Sequence, residues 1–297
     1  MKKKILHKIN VGCQLIKYQI DKFLRYNVKP KYNLVTDNDN PRVIISLTSF
    51  PKRIKEVHLC IKTLMNQTYK PDMIVLWLAK EQFQNGINDL PPKLVKLCKY
   101  GLKIEWCEDM KSYKKLIPAL VKYPEAIIIT TDDDVYYPKD WLEGLMNAHE
   151  KNPNCVCCYR AAIISAEKGN INRKHPQKNV KYKEPSILHQ QTGCGGVLYP
   201  PHSLNQDAIN KELFMNLAPT NDDLWFWLMG VCNDTEVFVI GDNEPSLIYV
   251  GESQNFSLTA INDNGEQLYD VQLMNILRHY PKLIEKLKFE YQKKGDI

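Results

Sequence analysis

The run Ile127-Ile128-Ile129-Thr130-Thr131-Asp132-Asp133-Asp134 constrains this chain most. A β-branched apolar stretch of this kind reads as a strand buried on both faces, as in the parallel sheets of α/β proteins. It stops in three consecutive carboxylates. In an open α/β sheet the carboxyl ends of the strands form the ligand edge. Capping a turn there needs one acid, and three adjacent ones repel each other. A hard divalent cation relieves the repulsion, because Mg²⁺ takes carboxylate oxygen and leaves room for substrate phosphates. The alternative is an acidic surface turn, and the preceding buried strand argues for the metal.

Strands and helices alternate around this run. The pattern predicts strands at Val43–Leu47, Met73–Leu78, Leu102–Trp106 and Ala126–Thr130. It predicts helices at Lys55–Gln67, Leu94–Lys99, Lys114–Val121 and Trp141–His149. Such alternation implies a mostly parallel sheet with helices on both faces. The second half differs. Strands are expected at Cys155–Ile164, Gly195–Tyr199 and Glu236–Ile240, an aromatic-rich helix at Asp222–Met229, and a polar, basic loop at Lys168–Lys183. These fit a mixed extension of one sheet better than a second domain, and no repeat at solenoid periods is present.

With 44% apolar and 25% charged residues, the 297-residue chain has enough apolar content for a large core. The net charge of +6 is uneven. Lys2, Lys3, Lys4, Lys8, Lys17, Lys22 and Arg25 load the first segment, and the remainder is close to balanced, which disfavours nucleic acid as a partner. Ile5, Ile9, Cys13, Ile16, Ile20 and Phe23 make residues 4–25 a basic amphipathic helix. Such a helix lies on an anionic membrane or docks on protein. A polar linker follows it, so the expected organisation is residues 1–40 as helix and linker and 41–297 as the folded domain. No secretory signal and no membrane-spanning run is read, and the nine scattered cysteines suit free thiols in a reducing cytoplasm. Cys155 and Cys158 have a C-x-x-C spacing, but no second ligand pair accompanies them, which argues against zinc.

Four further groups could carry chemistry. Thr48, Ser49 and Arg53 follow the first strand, where they either meet a nucleotide or cap and solvate a helix start. No Gly-x-Gly-x-x-Gly or Walker sequence accompanies them. Asp109 ends the third strand, and Lys114 and Lys115 open the next helix, where a lysine could neutralise diphosphate. Gln191-Thr192-Gly193-Cys194-Gly195-Gly196 is either a close backbone approach to a ligand or a tight bend. Asp222 and Asp223 start the aromatic helix. One acid suffices for capping, so the second suggests a general base beside Trp225 and Trp227, platforms on which a sugar could stack.

Taken in order, these residues resemble bacterial nucleotide-sugar glycosyltransferases of the GT-A fold, of the family 2-like kind found in capsule and lipopolysaccharide clusters. The resemblance spans roughly residues 42–280. Its carriers are Ser46 to Ile54, Lys115 to Leu120, Asp132 to Pro138, Thr192 to Pro201 and Asp222 to Trp227. It implies an α/β, GT-A (Rossmann-like) fold with a mixed C-terminal extension. It makes Asp132 and Asp134 the outer acids of a D-x-D motif, with Asp134 the principal ligand of Mn²⁺ or Mg²⁺, and Asp133 an assistant or ribose contact. It places Thr48, Ser49, Arg53, Asp109 and Lys115 around the donor, and Gly195, Gly196, Trp225 and Trp227 on the acceptor side. Asp223 matches the second acid of the family's Glu-Asp pair, the base, with Asp222 in the place of Glu. The acidic cluster usual after the second strand is absent, since Leu76-Trp77-Leu78-Ala79-Lys80 stands there.

The resemblance implies transfer of a sugar, a hexose, from a nucleoside-diphosphate sugar to a saccharide or lipid-linked saccharide hydroxyl at the inner face of the plasma membrane. One displacement with one base gives inversion. A nucleotidyltransferase would usually carry a glycine-rich loop after the first strand, and Thr48 to Arg53 has none. A non-catalytic carbohydrate-binding protein would be favoured by loss of Asp134 or Asp223, and both are present.

Overall fold

Side chains along β1 (Val43–Thr48) and β2 (Met73–Ala79) alternate between two apolar layers. Ile44, Met73, Val75 and Trp77 enter one layer, and Ile45, Leu47, Ile74, Leu76 and Leu78 the other. Each such buried side chain contributes about 1.5–3 kcal/mol, which is why these strands lie inside and not at an edge. The computed structural model describes residues 23, 42–167, 170–174, 184–241, 248–250 and 268–294. The expected N-terminal helix and linker lie almost wholly outside these residues, as does much of the 168–183 loop.

Strands β3 (Leu102–Cys107), β4 (Ile127–Thr130), β6 (Val156–Cys158), β10 (Val197–Tyr199) and β11 (Val237–Val239) complete a seven-stranded sheet of order β11-β6-β10-β4-β1-β2-β3. β1 runs parallel to β2 and β4, β2 to β3, and β11 to β6, whereas β10 is antiparallel to both neighbours. This is the mostly parallel α/β sheet that the sequence predicts. Helices α1 (Val57–Leu64) and α4 (Trp141–Lys151) cover one face, with the short α2 (Pro92–Val95). On the other face lie α3 (Ile117–Lys122), α5 (Lys211–Leu217), α6 (Asp222–Cys232), α7 (Leu268–His279) and α8 (Lys282–Lys294). Small strands add two outlying sheets: β5 (Val135–Tyr136) with β12 (Ile248–Tyr249), and β7 (Ala161–Ser165) between β8 (Asn172–Lys174) and β9 (His189–Gln191).

Chain order reverses at β1, which has β2 on one side and β4 on the other. A crevice opens at such a point beyond the strand ends. The Thr131 N–H donates to Ser46 O at 3.1 Å and brings the acid triplet beside the loop that leaves β1.

Several elements differ from the sequence reading. The stretch Cys155–Ile164 is two strands in different sheets, broken at Tyr159-Arg160. Asn172–Lys174, inside the expected loop, pairs with β7. Gly195 and Gly196 precede β10 and fit against α4. Trp141 Nε1 donates to Gly195 O at 2.8 Å. Gly196 has φ +86°, and a Cβ there would lie 2.3 Å from Trp141 Cζ2. Of the two alternatives for the glycine run, this packing supports the tight bend at Gly195 and Gly196.

Gly196→Ala combines a disfavoured φ with overpacking and should destabilise the fold by about 2–4 kcal/mol. Urea unfolding checks this through a lower midpoint at unchanged slope. A midpoint equal to wild type would show that Trp141 yields freely.

Candidate active site

The acid triplet is built by the loop it faces. Ser49 Oγ donates to Asp133 Oδ2 at 2.6 Å, and Arg53 Nη1 reaches Asp133 Oδ1 at 2.9 Å and Asp134 Oδ2 at 3.2 Å. Burial raises the Asp133 pKa, against the opposing pull of Arg53 and the Ser49 hydrogen bond. Burial also opposes the charge on Arg53, but Asp133 and Asp134 outweigh it and hold the guanidinium above its ordinary value. Thr48 Oγ1 donates to Trp77 O at 2.8 Å. Its hydroxyl ties β1 to β2.

Lys115 is the centre of the cleft. A 3₁₀ segment at Lys111–Lys115 carries it over the sheet, where Ser46 Oγ donates to its carbonyl at 2.6 Å and Trp77 Nε1 donates to Ser46 Oγ at 3.0 Å. Its Nζ lies 2.9 Å from Asp222 Oδ2, 3.4 Å from Asp132 Oδ1 and 3.7 Å from Asp223 Oδ1. Burial acts against the ammonium, but Asp222, Asp132 and Asp223 prevail and hold its pKa well above the usual range. The two acids of α6 are unequal. Asp222 also accepts from Ser112 Oγ at 2.8 Å, and its side chain is 7% exposed. Asp223 accepts the Gly193 N–H at 2.8 Å, and its side chain is 26% exposed. Burial raises the Asp223 pKa to about 6; Lys115 opposes this and Asp222 adds to it.

The body of α6 fixes these acids. Asn221 Oδ1 caps the helix by accepting Leu224 N–H at 3.1 Å. Tyr113 Oη donates to Ala218 O at 2.7 Å and its ring stacks on Phe214 at 4.1 Å, joining the Lys115 segment to the turn before α6. Trp225 and Trp227 are 0% and 1% exposed, and their indole N–H groups donate to Ala208 O and Ile187 O. They are core residues, so their expected role as sugar platforms is withdrawn. A helix that is apolar on every side is a buried one.

Asp109 sits at the end of β3, three strands from β4, about 14 Å by strand spacing. Its carboxylate takes hydrogen bonds from Lys114, the Lys111 N–H and Gln82. Burial acts to raise its pKa, but these bonds leave it lowered. Two residues beyond those expected complete the cleft. A Cβ on Gly193 would lie 2.6 Å from Lys115 Nζ and 3.0 Å from Asp223 Oδ1, so a side chain there would have to displace the Lys115 ammonium. Tyr137 Oη accepts the Asp132 N–H at 3.1 Å and donates to Cys194 O at 3.4 Å. The glycine run and the Tyr-Tyr-Pro after the acids were the signals for both.

Among the described residues, no three or more metal-ligating side chains converge. Charge is nevertheless unbalanced. Among the described residues, Asp132, Asp133, Asp134, Asp222 and Asp223 form ion pairs with Arg53 and Lys115. That deficit suits a cation held by one or two carboxylates with phosphates and water, the usual mode for Mg²⁺.

Residues 120–214 match the family described as Glycosyl transferase family 2. The chain is a glycosyltransferase. The match takes in the acid triplet and the glycine run and ends before Asp222. No curated protein matches the sequence. Among solved structures, residues 1–349 of S. aureus TarS in complex with UDP-GlcNAc are 12% identical, with 83% of this chain and 71% of that one covered at a TM-score of 0.49. A mannosyltransferase, PcManGT from Pyrobaculum calidifontis in complex with GDP-Man and Mn²⁺, is 12% identical, with 96% and 79% covered at 0.49. The inositol-1-phosphate CTP transferase from T. maritima is 11% identical, with 84% and 97% covered at 0.43. At this degree of likeness the fold of the enzyme rests on its own strand order.

Removing the shared cation tests the cleft. Lys115→Met should lower stability by about 3–5 kcal/mol at pH 8, since three acids are left without it. The folded-state pKa of Asp223 already lies above its unfolded value. The folded form therefore binds the extra proton, and its stability falls as pH rises through that interval. The variant lacks the opposing ammonium, so its deficit should be smaller at pH 5 than at pH 8. Urea unfolding at both pH values decides, and an equal deficit would refute the shared-cation account.

Proposed function

We propose that this enzyme moves a hexose from a nucleoside-diphosphate sugar, UDP-linked, to a hydroxyl of a saccharide or lipid-linked saccharide in surface polysaccharide synthesis, with inversion at the anomeric carbon. One observation carries the reading: Lys115 joins Asp132 of the strand-end acids to Asp222 and Asp223 of α6 in one cleft at the sheet's switch point. A donor site and a base are thereby within reach of one small substrate.

The residues divide the work. Arg53 and Ser49 hold Asp133 and so set the shape of the acidic turn. Asp134 and Asp132 would hold Mn²⁺ or Mg²⁺. Such an ion, when bound, supplies positive charge that offsets the charge building on a departing diphosphate. Asp222, engaged by Lys115 and Ser112, is the positioning acid. Asp223 is the more exposed of the pair and is fixed by the Gly193 N–H. With a pKa near 6 it is mainly ionised at neutral pH yet basic enough to accept the acceptor hydroxyl's proton. The acceptor oxygen attacks opposite the leaving group, so one displacement inverts the centre.

Transfer from a panel of nucleotide sugars tests these roles. Asp223→Asn should cut turnover by about 10²–10⁴ while leaving nucleotide binding nearly intact. The wild-type rate should rise with pH through about 6 as Asp223 ionises. EDTA should abolish transfer and Mn²⁺ or Mg²⁺ restore it. A product of retained configuration by NMR, or full activity in EDTA, would overturn the base or the metal role respectively.

We also place the basic segment 4–25 at the anionic inner face of the plasma membrane, where each lysine or arginine contributes about 1 kcal/mol. Deleting residues 1–28 should abolish salt-sensitive sedimentation with anionic vesicles. Unchanged sedimentation would give that segment another role.

A further inference from the structure

Arg160 stands at the break between β6 and β7, in the cleft wall that also carries the glycine run. Its carbonyl accepts the Thr192 N–H at 2.9 Å, and its Cγ would lie 3.1 Å from a Cβ on Gly195. The side chain is half-buried, and Nη1 donates to Cys194 Sγ at 3.2 Å. A thiol is a weak acceptor. Among the described residues Arg160 makes no ion pair, whereas Arg53 and Lys115 each hold two or three carboxylates. Two contacts join the loop that Arg160 touches to the acids. Cys194 O receives Tyr137 Oη, which accepts from Asp132, and the adjacent Gly193 N–H holds Asp223.

Among the described residues, the Arg160 guanidinium thus holds no anion. A half-buried charge in that state gains most from a ligand that brings its own negative charge. The planar fork of arginine matches two oxygens of a phosphate group, which a lysine does not. The anion expected between the strand-end acids and Asp223 is the donor diphosphate.

We propose that Arg160 binds the diphosphate of the nucleotide donor and stabilises it as leaving group, a role that rests on the nucleotide-sugar reading above. The bond from acceptor oxygen to anomeric carbon forms as the bond from that carbon to the diphosphate oxygen breaks. The bonding pair leaves with the diphosphate, which Arg160 holds, and the acceptor proton passes to Asp223. The guanidinium keeps all its protons throughout.

Calorimetric titration of the full chain with UDP, GDP and CDP, each with Mn²⁺, tests this, with the matching monophosphates in parallel. Arg160→Met keeps the stem against Gly195. It should weaken the diphosphate that wild type binds by tenfold or more, weaken the monophosphate less, and lower kcat for donor cleavage. Arg160→Lys should recover part of the affinity, since it keeps the charge without the fork. If Arg160→Met does not fold, Arg160→Gln carries the same expectation. A folded Met or Gln variant that binds diphosphate within twofold of wild type overturns the proposal. Wild type binding none of the three diphosphates would instead defeat the nucleotide-sugar reading, and this proposal with it.

Discussion

One ammonium brings together acids that the chain keeps far apart. Asp132 follows β4 and Asp222 and Asp223 begin α6, yet all three lie within 3.7 Å of Lys115 Nζ. At an effective dielectric of about 20, unit charges 4 Å apart interact by about 4 kcal/mol, and like charges at such range would drive the two segments apart. Lys115 reverses that sign. Buried ion pairs are weak contributors to net stability, because desolvation offsets much of the attraction. The value of this one is positional. It sets where a strand-end acid and a helix-start acid stand relative to each other, and Ser46, Trp77 and Tyr113 in turn set where Lys115 stands.

The sheet's single reversed strand explains how the glycine run reaches the same place. In a parallel strand, the loop after it arrives at the ligand edge. β10 is antiparallel to β4, with Val197 opposite Thr130, so the loop before it arrives there instead. Gly193 can then offer its N–H to Asp223, and Arg160 lines the same wall. The mixed half of the chain is therefore part of the site.

Much of this was legible from sequence, and the failures have physical causes. Strands buried on both faces give continuous apolar runs, and the acids at their ends stood out for that reason. Lys115, Asp222 and Asp223 were legible as charges in places where one charge would have served. Trp225 and Trp227 misled because an acid followed by aromatics looks the same whether the helix lines a cleft or fills a core. Only the carbonyls of Ala208 and Ile187, distant in sequence, show which. Arg160 was hidden inside an apparently continuous strand. Chain that passes from one sheet to another at Tyr159-Arg160 needs no glycine or proline and so leaves no mark. The repeat Leu283, Leu287, Tyr291 of α8 is legible at helical spacing.

The fit of Gly196 under the Trp141 ring has a consequence for how this sequence can diverge. The indole occupies the space a side chain at position 196 would need, and its N–H is tied to the carbonyl of Gly195. Neither residue can change alone without strain or a void. Relatives that lose the tryptophan should therefore be the ones that tolerate a side chain at the glycine, and the two positions should vary as a pair while the acids on either side vary independently.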